Sequence, residues 1–175
     1  MTIDIKLGSI VRDAITGFTG IATQRCDHLN GNVQYAIQPK GKEDGSYPDA
    51  MFLDYHTLDV GDEADGVSDR ATPAAETSII LGQKVRDKAT GFTGIATMKA
   101  TYLNGCVHFG VLPEIRKEAL LNENPVPSWI DHNRLEVVND GLNADAPKNI
   151  EIKDSVEVKP RPPGGPAMKV QRGRF

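Results

Sequence analysis

Hydrophobic residues near the start of the chain fall into short alternating runs of the kind that strands need. Val11 to Thr23 holds two β-rich stretches on either side of Thr16-Gly17, and this predicts a hairpin with Gly17 at a positive φ. Leu29-Asn30-Gly31 then supplies an Asn-Gly turn, the strongest short hairpin cue. The alternating Val33, Tyr35 and Ile37 after it are expected to point inward. Asp54 to Leu58 has the form of an acid-capped single helical turn that leads into a last short strand, Leu58 to Val60. About five short strands are therefore predicted in this first stretch.

The same series of elements then recurs. Ile5 to Pro39 aligns without a gap on Ile79 to Pro113 at an offset of 74 residues, with 19 identities in 35 pairs. Eight of them form one block, Thr16 to Thr23 against Thr90 to Thr97. A match of this density marks an internal duplication. Gly91 repeats the role of Gly17, Leu103-Asn104-Gly105 repeats the Asn-Gly turn, and Val107, Phe109 and Val111 repeat the inward alternation. The match resumes at an offset of 77, with Phe52-Leu53-Asp54 and Leu58 opposite Trp129-Ile130-Asp131 and Leu135, so the second copy carries a three-residue insertion. Its last strand is expected over Leu135 to Val138, and Glu114 to Leu121 has the composition of a short helix.

Five short strands with a tight turn before the last outline a small SH3-like barrel, a form that closes its own edges. The expected fold class is all-β: two tandem SH3-like small β-barrels, an acidic linker and an extended basic Pro/Gly-rich C-terminal tail. The boundaries are 1–60 for the first repeat, 61–78 for the linker, 79–139 for the second repeat and 140–175 for the arm. Asp59 to Ser78 holds six acids and one arginine with few large apolar residues, and so reads as a flexible, solvated tether. The run Ile150 to Val158 could add an edge strand, and Pro160 to Pro166 then breaks regular structure.

Charge is divided unevenly. The whole chain is at -4, yet Lys159 to Phe175 contains five cations and no acid, which leaves residues 1–158 at -9. An acidic body with a basic tail suits docking of the tail on an acidic neighbour or on nucleic acid. No run approaches the roughly 20 apolar residues of a membrane span, and the first residues lack the regions of a signal peptide, so synthesis in a cytoplasm is expected. Two cysteines, Cys26 and Cys106, make neither a disulfide framework nor a zinc spacing. No nucleotide-hydrolysis signature is present.

Catalysis needs a nucleophile, base or metal held by neighbours. His28, His56, His108 and His132 are replaced in the other copy by Tyr102, Asn133, Gln34 and Tyr55, so no histidine belongs to a shared constellation. No catalytic residue, metal ligand or cofactor is expected. Shared glycines are explained by turns, and shared Val11, Phe18, Ile21, Leu29 and Val33 by the core. Arg12-Asp13 and Arg86-Asp87 are shared without either explanation. Each is read as a cross-strand ion pair beside the hairpin or as a ligand-binding pair, with the first the simpler. Phe18 and Phe92 either cap the core or anchor a partner. The candidate partner-binding residues are Arg12, Phe18, Arg86 and Phe92 in the repeats, with Arg161, Lys169, Arg172, Arg174 and Phe175 in the tail.

The run from Leu81-Gly82 through Val85-Arg86-Asp87 and Thr90-Gly-Phe-Thr-Gly-Ile-Ala-Thr97, followed by Tyr102-Leu-Asn-Gly-Cys-Val107 and Asp131 to Leu135, resembles small proteins encoded by tailed bacteriophages and prophages. Copy one departs from that pattern at His28 and Asn32. The resemblance implies a phage origin and a bacterial host cytoplasm as the site of synthesis, and it transfers no catalytic residue. The expected role is a virion-associated decoration or cement protein that binds capsid or tail subunits, or itself, with the tail reaching a neighbouring chain. A counter-defence protein that sequesters a nucleotide-like signal or blocks a host protein is the alternative. An RNA-binding barrel of the KOW type comes third, because the repeats are acidic and only the tail could meet nucleic acid.

Overall fold

The computed structural model describes residues 5–61, 66–113 and 125–143. The protein is all-β, and its described residues form ten strands with short 3-10 turns beside them. The first repeat forms β1 (Ile10–Asp13), β2 (Thr19–His28), β3 (Val33–Gln38), β4 (Met51–Asp54) and β5 (Leu58–Val60). The second forms β6 (Lys84–Asp87), β7 (Thr93–Tyr102), β8 (Val107–Pro113), β9 (Ser128–Asp131) and β10 (Leu135–Asn139). All pairings are antiparallel. Within the first repeat the order runs β5-β1-β2-β3-β4, and the second repeats it as β10-β6-β7-β8-β9. The helix expected at Glu114 to Leu121, the edge strand expected at Ile150 to Val158, and the arm beyond Asn143 lie outside the described residues.

The turn chemistry read from the sequence is realised. Gly17 and Gly91 close the first hairpins, and Gly31 and Gly105 sit in the Asn-Gly turns at φ of 85° and 82°. A 3-10 turn precedes the last strand of each repeat, at Tyr55–Thr57 and at His132–Arg134. Asp131 caps its turn by accepting from the Asn133 N–H at 2.8 Å. Asp54 makes no side-chain cap; its carboxylate instead accepts from the Asn32 and Gln34 side chains, at 2.9 and 3.2 Å.

Alternation delivers one core to each repeat. Val11, Ala22, Tyr35, Ile37 and Leu58 are buried together with Ile5. Val85, Ala96, Phe109, Val111 and Leu135 are buried with Ile79, Val107 and Ile130. Val33 is half-buried against the first core. Leu29, expected inside, is instead 39% exposed, because it lies beyond the end of β2 in the Asn-Gly turn.

β2 and β7 are the longest strands, and each serves three neighbours. The first half of β2 pairs with β1 at Thr19–Ile21, and the second half pairs with β7. A bulge between Ala22 and Gln24 separates the two halves, and β7 has the same bulge between Ala96 and Met98. A bulge bends its strand and increases the local twist, which re-aims the second half toward a new partner. Thr23 and Thr97 sit in the bulges and donate their hydroxyls to the carbonyls of Ala36 and Gly110. The two repeats are thus joined in one ten-stranded sheet.

The junction has internal symmetry. Cys26 stands opposite Ala100, its own counterpart at the 74-residue offset, while Gln24 faces Tyr102 and His28 faces Met98. Beyond the ladder, Leu29 N–H donates to Thr97 O at 2.8 Å, and Leu103 N–H donates to Thr23 O at 2.9 Å. A pseudo-twofold axis therefore passes through the Cys26 and Ala100 pair.

The segment between the repeats differs from the tether expected of it. Val67 N–H donates to Gly8 O at 2.8 Å, and the 3-10 turn Ser68–Arg70 follows. In the second repeat Leu142 N–H donates to Gly82 O at 2.8 Å beside the turn Gly141–Asn143. Each repeat therefore continues past its last strand through a matching turn. Thr72 and Ala75 next donate their N–H groups to Leu103 O and Gly105 O, both at 2.9 Å. These main-chain bonds fix residues 66–75 along both repeats, which composition alone does not reveal.

Candidate functional site

The shared Arg-Asp dipeptides end β1 and β6, where alternation sends the arginine outward and the aspartate inward. Asp13 and Asp87 are 2% and 1% exposed. Each caps the hairpin beside it. Asp13 accepts from the Thr16 N–H at 2.9 Å and from the Thr16 hydroxyl, and Asp87 accepts from the Ala89 N–H at 3.1 Å and the Thr90 hydroxyl at 2.6 Å. The two aspartates do not pair with their neighbouring arginines. Arg86 instead bonds Glu136, its direct cross-strand partner, through Nε at 2.6 Å. Arg12 is exposed and stands opposite Asp59 in register.

A residue that the sequence reading passed over completes the second of these sites. Arg134, the last residue of the 3-10 turn, donates Nε and Nη2 to the two carboxylate oxygens of Asp87. That contact, with Thr90 next, holds the Asp87 carboxyl at about 2, below the ordinary aspartate range. Asp13 is also held at about 2, first by the Thr16 hydroxyl and then by the nearby Thr57 hydroxyl. Thr57 occupies the place of Arg134 but donates in good geometry to Asp54 O, and Asp13 Oδ1 has no hydrogen-bond partner among the described residues.

Phe18 and Phe92 are half-buried and pack against the first and second cores. Among the described residues, Arg12, Phe18, Arg86 and Phe92 line none of four surface recesses of about 280 to 380 Å³. Arg161, Lys169, Arg172, Arg174 and Phe175 lie outside the described residues.

The histidines have local partners. His28 Nε2 meets Gln34 Oε1 at 3.1 Å, His132 Nδ1 meets Val107 O at 3.2 Å, and His108 lies 3.6 Å from Asp131. Among the described residues no group of three or more His, Cys, Asp or Glu side chains is placed to hold a metal ion. Both cysteines are free thiols. Cys26 is buried at the pseudo-twofold axis, where burial pushes its thiol up to about 11, and Cys106 is exposed.

The surface feature that both repeats share is an aromatic on an open strand. Among the described residues β4 pairs only with β3, and β9 only with β8. Phe52 on β4 is 53% exposed, and Trp129, its counterpart on β9, is 46% exposed. Their cross-strand partners are small, Ala36 and Gly110, so each ring has room to lie over the sheet. An edge strand presents unpaired N–H and C=O groups, and a large apolar side chain on it adds contact area for a partner. The sequence carried a signal for this pair, since Phe52 and Trp129 align in the two copies, but alternation cannot tell an exposed aromatic from a buried one when a strand has only four residues. Comparison with protein-family profiles, with curated proteins and with solved structures finds no match.

Proposed function

We propose that this chain is a non-enzymatic, virion-associated protein of the decoration or cement type, which binds capsid or tail subunits of a tailed bacteriophage and is made in the bacterial host cytoplasm. The repeats are read as SH3-like small barrels that serve as binding modules. The observation that carries this reading is the matched pair of open edge strands, each with an exposed aromatic, Phe52 and Trp129, on repeats joined by one continuous sheet. A target built from repeated subunits offers the same surface many times. Two similar modules held in fixed relation can engage two such surfaces, and the second contact is then intramolecular and strengthened by effective concentration.

Sequestration of a nucleotide-like signal would call for arginines and aromatics that converge in a concave pocket. Arg12, Arg86, Phe18 and Phe92 line none of the four recesses described above, which favours the binding of a protein surface.

Mass spectrometry of purified phage particles, with the copy number of this chain set against the major capsid protein, tests the proposal. A fixed ratio of many copies per particle supports it. Absence from the particle overturns it.

A further inference from the structure

The pseudo-twofold axis relates two recesses that are bordered differently. One is lined by Thr23, Tyr102, Leu103 and Asn104, and the other by Thr97, His28, Leu29 and Asn30. These are the same positions in the two copies. Along one side of the first, to which Thr72 contributes, runs the strap Thr72-Pro73-Ala74-Ala75, which docks on the turn by donating to Leu103 O and Gly105 O. It runs so close that a Cβ on Gly105 would stand 2.6 Å from Pro73 O. Among the described residues no corresponding strap runs along the second. Gly31 has nothing within 4 Å of where its Cβ would be, and Leu29 O and Gly31 O accept no main-chain hydrogen bond among the described residues. Gly105 is buried and Leu103 half-buried, while Gly31 and Leu29 are exposed.

The strap defines what fits such an Asn-Gly turn. Its first and fourth residues donate N–H groups, and its second is a proline, which has no N–H to leave unsatisfied. Its third is an alanine, small enough to leave the chain close to the turn. The 32 residues beyond Asn143 contain five prolines. Pro160 and Pro163 fail the pattern, because a proline falls at the fourth or the first position. Ala146-Pro147-Lys148-Asn149 and Arg161-Pro162-Pro163-Gly164 place a lysine or a second proline third. Gly165-Pro166-Ala167-Met168 keeps both donors and repeats the Pro-Ala pair of the strap.

We infer that Gly165-Pro166-Ala167-Met168 of the chain's own C-terminal arm docks on the Leu29–Gly31 turn, as Thr72-Pro73-Ala74-Ala75 docks on Leu103–Gly105, with the Gly165 and Met168 amides donating to Leu29 O and Gly31 O. Reach is ample. The 22 residues from Asn143 to Gly165 can span roughly 70 Å when extended, against a radius of gyration of about 14 Å for a body of this size. Charge agrees as well, since the arm is the basic part of the chain and residues 1–158 are at -9. Lys169, Arg172, Arg174 and Phe175 are left beyond the docking point, free to meet a partner.

The test uses the full chain with Cys106→Ser and Lys169→Cys, so that a nitroxide attached to the new thiol sits beside the docked segment while Cys26 stays buried. The inference predicts loss of most of the amide peak intensity at His28 to Asn32 in the isotope-labelled chain. It also predicts no such loss at Leu103 to Cys106, and recovery of the lost peaks when Ala167→Asp is added. Unchanged peaks at His28 to Asn32 overturn it, as does broadening that survives Ala167→Asp. A mixture of isotope-labelled chains without nitroxide and unlabelled chains with it separates a second copy as the occupant: broadening that appears there equally would overturn docking within the chain.

Discussion

Asp87 and Arg134 form a two-pronged ion pair between the end of β6 and the 3-10 turn before β10, with the carboxylate buried and the guanidinium reaching it from the surface. Asp13 has the same place in the first repeat, but Thr57 stands where the arginine would be. The main chain is alike at both sites, since Thr57 O accepts from Ala14 N–H and Arg134 O from Lys88 N–H, each at 2.8 Å.

Removing the arginine strands a buried charge, whereas adding one relieves the orphaned oxygen of Asp13. Arg134→Ala is expected to lower the thermal midpoint by about 5 °C or more, and Thr57→Arg to raise it by about 2–4 °C. Differential scanning calorimetry of the two variants beside the parent checks both signs. A Thr57→Arg variant less stable than the parent would contradict the equivalence of the two sites.

Acid should act through the same carboxylates. Both are held at about 2 in the folded chain, against roughly 3.9 for an unfolded aspartate. A depressed carboxyl stabilises the fold above its unfolded value, and that contribution drains away as pH falls toward the folded value. The thermal midpoint is therefore expected to drop between about pH 4 and pH 2, and Asp13→Asn with Asp87→Asn to flatten that slope. A slope unchanged in the double variant would assign acid sensitivity to other groups.

Much of the fold was legible because its signals are local. Thr-Gly and Asn-Gly turns, period-two alternation and the acidic residue before each 3-10 turn need only neighbours in sequence, and the duplication supplied every one of them twice. The junction was not legible in the same way. Gln24 to His28 and Met98 to Tyr102 share no identity although blocks of identity flank them, and the half-buried, mixed-polarity residues around buried Cys26 and Ala100 carry no alternation that would announce a partner strand. That gap in an otherwise close match was the available signal, since strands that pair across a pseudo-twofold axis contact each other's unlike residues and diverge. Arg134 was hidden for a related reason, because comparison of the copies sets it against a threonine. The edge aromatics were visible as an aligned pair, but their exposure depends on which strand ends the sheet.

The junction itself can be read by hydrogen exchange. Leu29 and Leu103 donate across the axis to Thr97 and Thr23, so their amides are expected to be protected to a similar degree, well above that of the exposed turn residue Asn30. Protection of one without the other would break the symmetry, and rapid exchange of both would mean that β2 and β7 do not stay paired.

The thiols should differ sharply in reactivity. Only the thiolate attacks an alkylating reagent, and Cys26 is both buried and pushed up to about 11. One thiol per native chain, Cys106, is expected to react near neutral pH, and both in denaturant. Fast modification of Cys26 in the native chain would contradict its place at the core of the junction.

The edge strands carry the proposed function, and their loss should be felt twice over. Purified chain added to phage particles that lack it is expected to bind in a fixed ratio. Phe52→Ala or Trp129→Ala alone should weaken retention, and the two together should abolish it, as linked modules require. The most direct measurement is cosedimentation of the parent and the double variant with such particles: retention of the parent and loss of the double variant is the predicted result, and equal retention of both would contradict the account.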